Sequence, residues 1–244
     1  MEVSPDLLLA LSRARWLWEL TAGAFDATVL PALEALGYDR TFADVARDGP
    51  PVDHAPTAPG FDRVEIDAAS SAVRLGPGVR IDLGGVGKGL AADLVAEGIV
   101  LRGASSALVE LGGDVRTAGE VLEGGWQIPV LDPFDATSTW SHASLGSEAI
   151  VTCTSLIRRW RRGRQELHHI VDPLTGMPTD VGVVAVVARG QEAWLAEGLA
   201  KATMVVGESG ANALLADTGV SAEVFRADRS SVAIGGASVL CSPI

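Results

Sequence analysis

The sequence predicts an α+β protein. Three observations lead there. Short runs of strand character alternate with apolar stripes at helical spacing, several strand runs are joined by short turns as hairpins, and no internal repeat or long linker interrupts the 244 residues. The length suits one large domain or two small ones, with enough chain to bury a core.

Ser4-Pro5 opens the first helix, a capping hydroxyl followed by proline at the first helical position. Leu7, Leu11, Ala14 and Trp18 then form one apolar stripe, and Gly23 can close the helix. "FDATVLPALEALGY" reads as a second, shorter helix with Asp26 near its N-terminus. Residues 48–59 are rich in Pro, Asp, Gly and small residues and form a loop. "RVEID" and "AVRL" flank "AASS" as a hairpin. Next comes "IDLGGVGKGLAADLV" (81–95), a glycine-rich turn running into a helix. "SALVELGG", "WQIPVL" and "EAIVTCTS" read as strands, and "RRWRRGRQELHHIV" as a hairpin entering the turn "DPLTGMP". Strand 181–188 precedes the helix "EAWLAEGLAKATMVVG", a further helix and a closing pair of strands.

A net charge of −12 argues against nucleic acid or an anionic membrane as the main partner. Cys153 and Cys241 are too few for a disulfide scaffold and lack metal-ligand spacing. No basic start with an apolar run and cleavage site opens the chain, and the longest apolar run, 181–188, is too short to cross a bilayer. The chain as written is expected to be cytoplasmic, with a longer exported or lipid-anchored form as the alternative. Of the 19 basic residues only Lys88 and Lys201 are lysines, so lysine is kept either by chance or where a compact ammonium suits the site better than a planar fork.

Four stretches carry candidate chemistry. Gly84, Gly85, Gly87 and Gly89 let backbone approach an anion ahead of a helix N-terminus. The spacing nevertheless fails both the P-loop and the dinucleotide pattern, and on spacing alone a tight strand-to-helix turn is the preferred reading. His168 and His169 are strand neighbours that face opposite ways, which weighs against both binding one zinc ion. Glu197 and Lys201 share a helix face, where a solvated pair contributes only ~0.2–0.5 kcal/mol. Five arginines around Trp160 could meet phosphate or an acidic partner, but a solvated hairpin is the preferred account.

Taken in order, these blocks resemble the ApbE-type flavin transferases, the FAD:protein FMN transferases. "TAGAFDATV" is similar to the family's T-x-G-A-F-D-P-T, and "IDLGGVGKGLAAD" to D-L-G-G-I-A-K-G-Y-A-V-D. "LVELGGDVRTAG" is similar to N-x-G-G-D-I-x-x-x-G, "WQIPVLDP" to W-x-I-G-I-x-D-P, and "HHIVDPLTGMP" to H-H-I-I-D-P-x-T-G-x-P. The resemblance implies one ApbE-like domain over residues 1–244, with mixed and antiparallel sheets and interleaved helices.

It also implies a chemistry. The hydroxyl of a Thr or Ser on an acceptor protein attacks the FMN phosphorus of FAD, the substrate, and AMP leaves. By the same resemblance Ala24, Phe25, Asp26 and Ile170 contact the flavin nucleotide, Asp82 and Lys88 line its phosphates, and His169 is the base. Mg²⁺ is held in the family by an Asp and a Thr four apart and by a carbonyl of the glycine-rich loop. Those positions fall on Glu197, Lys201 and Gly85. Lysine cannot ligate Mg²⁺ as an ammonium. Either Lys201 pairs with Glu197 and leaves it little affinity for Mg²⁺, or it reaches the pyrophosphate and supplies one charge itself. Glu110 stands where the family has Asn, and the family's N-terminal M-G-T strand precedes the first matched block. The alternatives are a non-catalytic flavin-binding protein of the same fold and a pyrophosphatase giving FMN and AMP.

Overall fold

The computed structural model describes residues 1–121, 123–236 and 239–240, and Cys241 lies outside the described residues. The chain divides into two compact units, residues 1–85 with 155–180 and residues 86–154 with 181–244.

In the first unit, α1 (Pro5–Leu20) starts where Ser4 accepts the Leu7 N–H at 3.3 Å. Its buried stripe is Ala10, Leu11, Ala14 and Leu17. Leu7 is exposed and Trp18 half-buried, so the apolar face is rotated from the one the sequence suggested. The expected second helix is split. Asp26 caps a single 3-10 turn, Ala27–Val29, and α2 (Leu30–Ala35) follows with Pro31 in its first turn. β1 (Val64–Asp67) and β2 (Ala72–Leu75) make the expected hairpin. β8 (Arg159–Arg162) and β9 (Gln165–His168) make another, pinned by the buried Trp160, whose indole N–H donates to the Leu36 carbonyl at 2.8 Å. The arginine run is therefore not wholly solvated. Arg162 is buried and donates to the Gly37 and Ala46 carbonyls at 3.2 and 3.1 Å.

The second unit is built on a six-stranded antiparallel sheet of β3 (Ser106–Leu111), β4 (Asp114–Gly119), β7 (Ala149–Thr154), β10 (Val183–Gly190), β11 (Ser221–Arg226) and β12 (Ser231–Ile234). Their order across the sheet is β12-β11-β10-β7-β4-β3. A hairpin of β5 (Trp126–Asp132) and β6 (Asp135–Leu145) covers one face. There Ile128, Val130, Ala143 and Leu145 pack on Val115, Ile150, Ala185, Val187 and Phe225. Strand alternation then sends Val186, Val151, Cys153, Asp114 and Arg116 to the opposite face, where α3 (Gly87–Leu101) lies over β3 and β4 and α4 (Ala193–Leu215) over β7 and β10. α4 breaks at Gly207, whose φ of +71° ends regular helix and accounts for the two helices read from the sequence.

β4 and β6 were not anticipated. β4 is covered on both faces and carries Asp114 and Arg116, so it lacks polar-apolar alternation. β6 is rich in Ser and Thr, and its buried positions are as small as Ser141 and Ala143. Among the described residues no helix is long and apolar enough to cross a membrane.

Candidate functional site

The glycine-rich stretch spans the boundary between the units, and each side has its own geometry. In the first unit the Asp82 N–H donates to the Ala27 carbonyl at 2.8 Å, and its Oδ1 accepts the Gly84 N–H at 2.7 Å. Asp82 and Gly85 are half-buried. None of Gly84, Gly85, Gly87 and Gly89 has a left-handed φ. Gly89 is needed for another reason. A Cβ there would lie 2.5 Å from the Ala193 carbonyl carbon and oxygen, so the α3–α4 crossing demands glycine.

Also in the first unit, Asp26 is buried and its Oδ1 accepts from the Thr28 N–H at 2.8 Å and hydroxyl at 2.7 Å. Burial pushes its carboxyl up, against the hydrogen bonds that favour the anion. The Phe25 side chain is buried, its N–H donating to the Thr21 hydroxyl at 2.9 Å, and Ala24 is half-buried. The two histidines differ. His168, the last residue of β9, is buried, and its Nδ1 accepts the Ile170 N–H at 3.3 Å. That leaves Nε2 protonated, facing the Thr179 carbonyl at 3.1 Å. Burial lowers its pKa, which favours the neutral imidazole. His169 lies just past the strand, half-buried, with its ring edge-on to Tyr38 at 6.4 Å. Ile170 is buried, and the turn after it is closed by Asp172, which accepts the Leu174 N–H at 2.9 Å. Gly176 in that turn has a φ of +71°, and a Cβ there would lie 2.4 Å from the Pro56 carbonyl oxygen.

The second unit holds a cluster of four charges on the helix-facing side of the sheet. Glu197, on α4, is 2% exposed. Its Oε2 accepts the Gly89 N–H at 2.9 Å, at the start of α3. Its Oε1 takes the Lys201 ammonium at 3.1 Å and the Lys88 ammonium at 3.2 Å. Lys88 also pairs with Asp114 of β4, which accepts the Thr152 N–H at 3.3 Å. Burial alone would raise the Glu197 carboxyl, but Lys201, Lys88 and the Gly89 N–H outweigh it and hold the pKa below the ordinary value. Burial would lower the Lys201 ammonium, yet Glu197 above all keeps it well above its usual range. Asp114 is raised by burial, with Lys88 opposing. The structure thus brings Lys88, Glu197 and Lys201 together and adds Asp114. Asp114, inside the block LVELGGDVRTAG, is a member of the cluster that the sequence did not single out. Its clue was the use of lysine at only two positions.

A second ionic pair lies on the same face. Asp93 of α3 accepts the Ala193 and Trp194 N–H groups at 2.9 and 3.0 Å, capping α4, and Arg116 Nε donates to it at 2.8 Å. Glu110, exposed on β3, accepts the Gly113 N–H at 2.6 Å across the β3–β4 turn. Among the described residues no group of three or more His, Cys, Asp or Glu is placed to hold a metal ion.

Glu197 itself does not fit a divalent cation. Both carboxylate oxygens already accept hydrogen bonds, and two ammoniums stand where a metal would approach. Lys88 has three N–H donors, of which Asp114 and Glu197 take two, and its side chain is 36% exposed. The third can meet a phosphate oxygen.

The ApbE family model matches residues 1–225. The FAD:protein FMN transferase of Vibrio cholerae is 29% identical over 209 residues, covering 84% of this chain and 62% of its own length. That of Treponema pallidum is 31% identical over 237 residues, covering 87% and 63%. The chain therefore spans less than two thirds of the length of these curated relatives. The solved ApbE protein of Thermotoga maritima superposes with a TM-score of 0.82 at 27% identity, covering 96% of this chain and 77% of that one. Sequence and fold agree, and the chain belongs to the ApbE family.

Proposed function

We propose that residues 1–244 act as one flavin transferase domain that binds FAD and moves its FMN part onto a Ser or Thr hydroxyl of an acceptor protein. The observation that carries this reading is the Lys88 ammonium. It is partly exposed at the start of α3 with a hydrogen-bond donor to spare, in a chain whose one other lysine is Lys201. Its charge suits the pyrophosphate of FAD, and the compact ammonium suits a shared contact with two carboxylates. Asp82, Ala24, Phe25, Asp26 and Ile170 belong to the proposed flavin-nucleotide site. In the transfer the acceptor oxygen bonds to the FMN phosphorus, the pyrophosphate P–O bond breaks, and AMP leaves with the electron pair. His169 takes the hydroxyl proton, since the neighbouring His168 has both ring nitrogens engaged by backbone groups.

No step is assigned to Mg²⁺, since Glu197 is already satisfied. That same closure favours a second reading, a flavin-binding protein that does not transfer. Incubation with FAD, with and without a threonine-bearing peptide, separates them. Transfer gives AMP only when peptide is present, and the peptide becomes fluorescent. Quenching of flavin fluorescence without AMP favours the second reading. AMP without labelled peptide means hydrolysis.

A further inference from the structure

Both lysines of the chain lie on one buried carboxylate. The arrangement is charge-balanced, with Glu197 and Asp114 against Lys88 and Lys201. A divalent cation added there would have to displace an ammonium from Glu197 Oε1 and would bring two further positive charges into a buried site. Lys201 is the member that closes it. Lys88 is divided between Asp114 and Glu197, whereas Lys201 sits one helical turn from Glu197 with a side chain only 20% exposed. An ammonium there is a point charge held at one place by its own helix.

We propose that Lys201 is a tethered cation: its ammonium takes the place on Glu197 that a divalent metal would take, so this unit does not bind Mg²⁺ and carries its positive charge in the chain. The inference concerns metal binding by the protein alone and does not depend on FMN transfer. A Lys201→Thr change would leave the cluster with one net negative charge. It would also put a hydroxyl oxygen one helical turn from Glu197, two features that a hard cation seeks. Lys88 and the Gly89 N–H would still satisfy Glu197 in part, so the carboxylate is not stranded and the variant is expected to fold.

The test titrates MgCl₂ alone into full-length protein, by calorimetry and by thermal unfolding. Wild type is expected to show no saturable heat and no rise in Tm. Lys201→Thr, and Glu197→Asp with Lys201→Thr, are expected to bind Mg²⁺ saturably and to gain Tm by linkage. Lys201→Met removes the charge without adding an oxygen and should bind at least tenfold more weakly than Lys201→Thr. Saturable Mg²⁺ binding by wild type that Glu197→Gln abolishes overturns the proposal, and this arm needs no stable Lys201 variant. Folded Lys201→Thr protein that ignores Mg²⁺ overturns it too. Absence of FMN transfer would sink the proposed function and leave this result untouched.

Discussion

On the helix-facing side of the second unit's sheet, α3, β4 and α4 carry two ionic arrangements that differ in kind. Asp93 and Arg116 are closed on both sides. Their side chains are 7% and 8% exposed, and the carboxylate is spent on two N–H groups of α4 and on the guanidinium. Lys88, Asp114, Glu197 and Lys201 are as tightly paired, but the carboxylates are buried while the lysines stay 36% and 20% exposed. The planar fork of Arg116 is shared between Asp93, the Thr117 carbonyl and Glu97, and with Asp93 it fixes a helix junction. A compact ammonium keeps a donor free while leaning on two carboxylates. Buried charge alone closes a junction in the first arrangement, whereas the second leaves part of its cations within reach of solvent.

The comparison can be broken first at Arg116. Arg116→Met leaves Asp93 buried with only backbone partners, and a loss of about 3–5 kcal/mol is expected from urea unfolding, as for other broken buried pairs. Gly89→Ala comes next. Its Cβ would meet the Ala193 backbone at 2.5 Å, and forcing the helices apart should cost about 1–3 kcal/mol. Lys201→Met should cost less than Arg116→Met, about 1–2 kcal/mol, because Lys88 and the Gly89 N–H still attend Glu197. Equal losses at Arg116 and Lys201 would erase the distinction between the two arrangements.

Smaller effects follow with pH. The Glu197 carboxyl is lowered from 4.5, so its stabilisation is present above that value and is lost as pH falls through the folded pKa. The Lys201 ammonium is raised from 10.5, so its share is present below that value and is lost as pH climbs above it. His168 is lowered from 6.5, which takes stability away as pH drops from 6.5 through the folded value. Urea midpoints of wild type should decline first below 6.5, and His168→Gln should flatten that segment alone. An unchanged slope in His168→Gln would assign it to another group.

Much of this was legible in the sequence because it rests on local chemistry. Ser4-Pro5, the β1–β2 hairpin and the Asp172 turn are encoded by a cap, alternation and turn residues, and the structure contains all three. The α1 stripe was misplaced because burial follows what packs on the helix, and Leu17 rather than Trp18 meets the core. The strands β4 and β6 were hidden because covered polar or small residues erase the period of two. At the site, Glu197 and Lys201 could be paired by helical spacing, and the glycine run announced a tight approach. Gly89 turned out to serve the crossing with Ala193, and Asp114's place beside Lys88 comes from β4, a strand with no sequence signal. Long-range partners of that sort are set by sheet order, which no local pattern records.

We propose that the partly open lysine cluster, and not the closed Asp93–Arg116 pair, meets the flavin nucleotide. FAD titration by flavin fluorescence, at a temperature where every variant remains folded, tests it directly. The variants are Lys88→Gln with Asp114→Asn, which swaps the ion pair for an amide pair, and Arg116→Lys. The account predicts at least a tenfold loss of FAD affinity in the first and near wild-type affinity in the second. Wild-type affinity in the Lys88 variant, with a loss confined to Arg116→Lys, would contradict it.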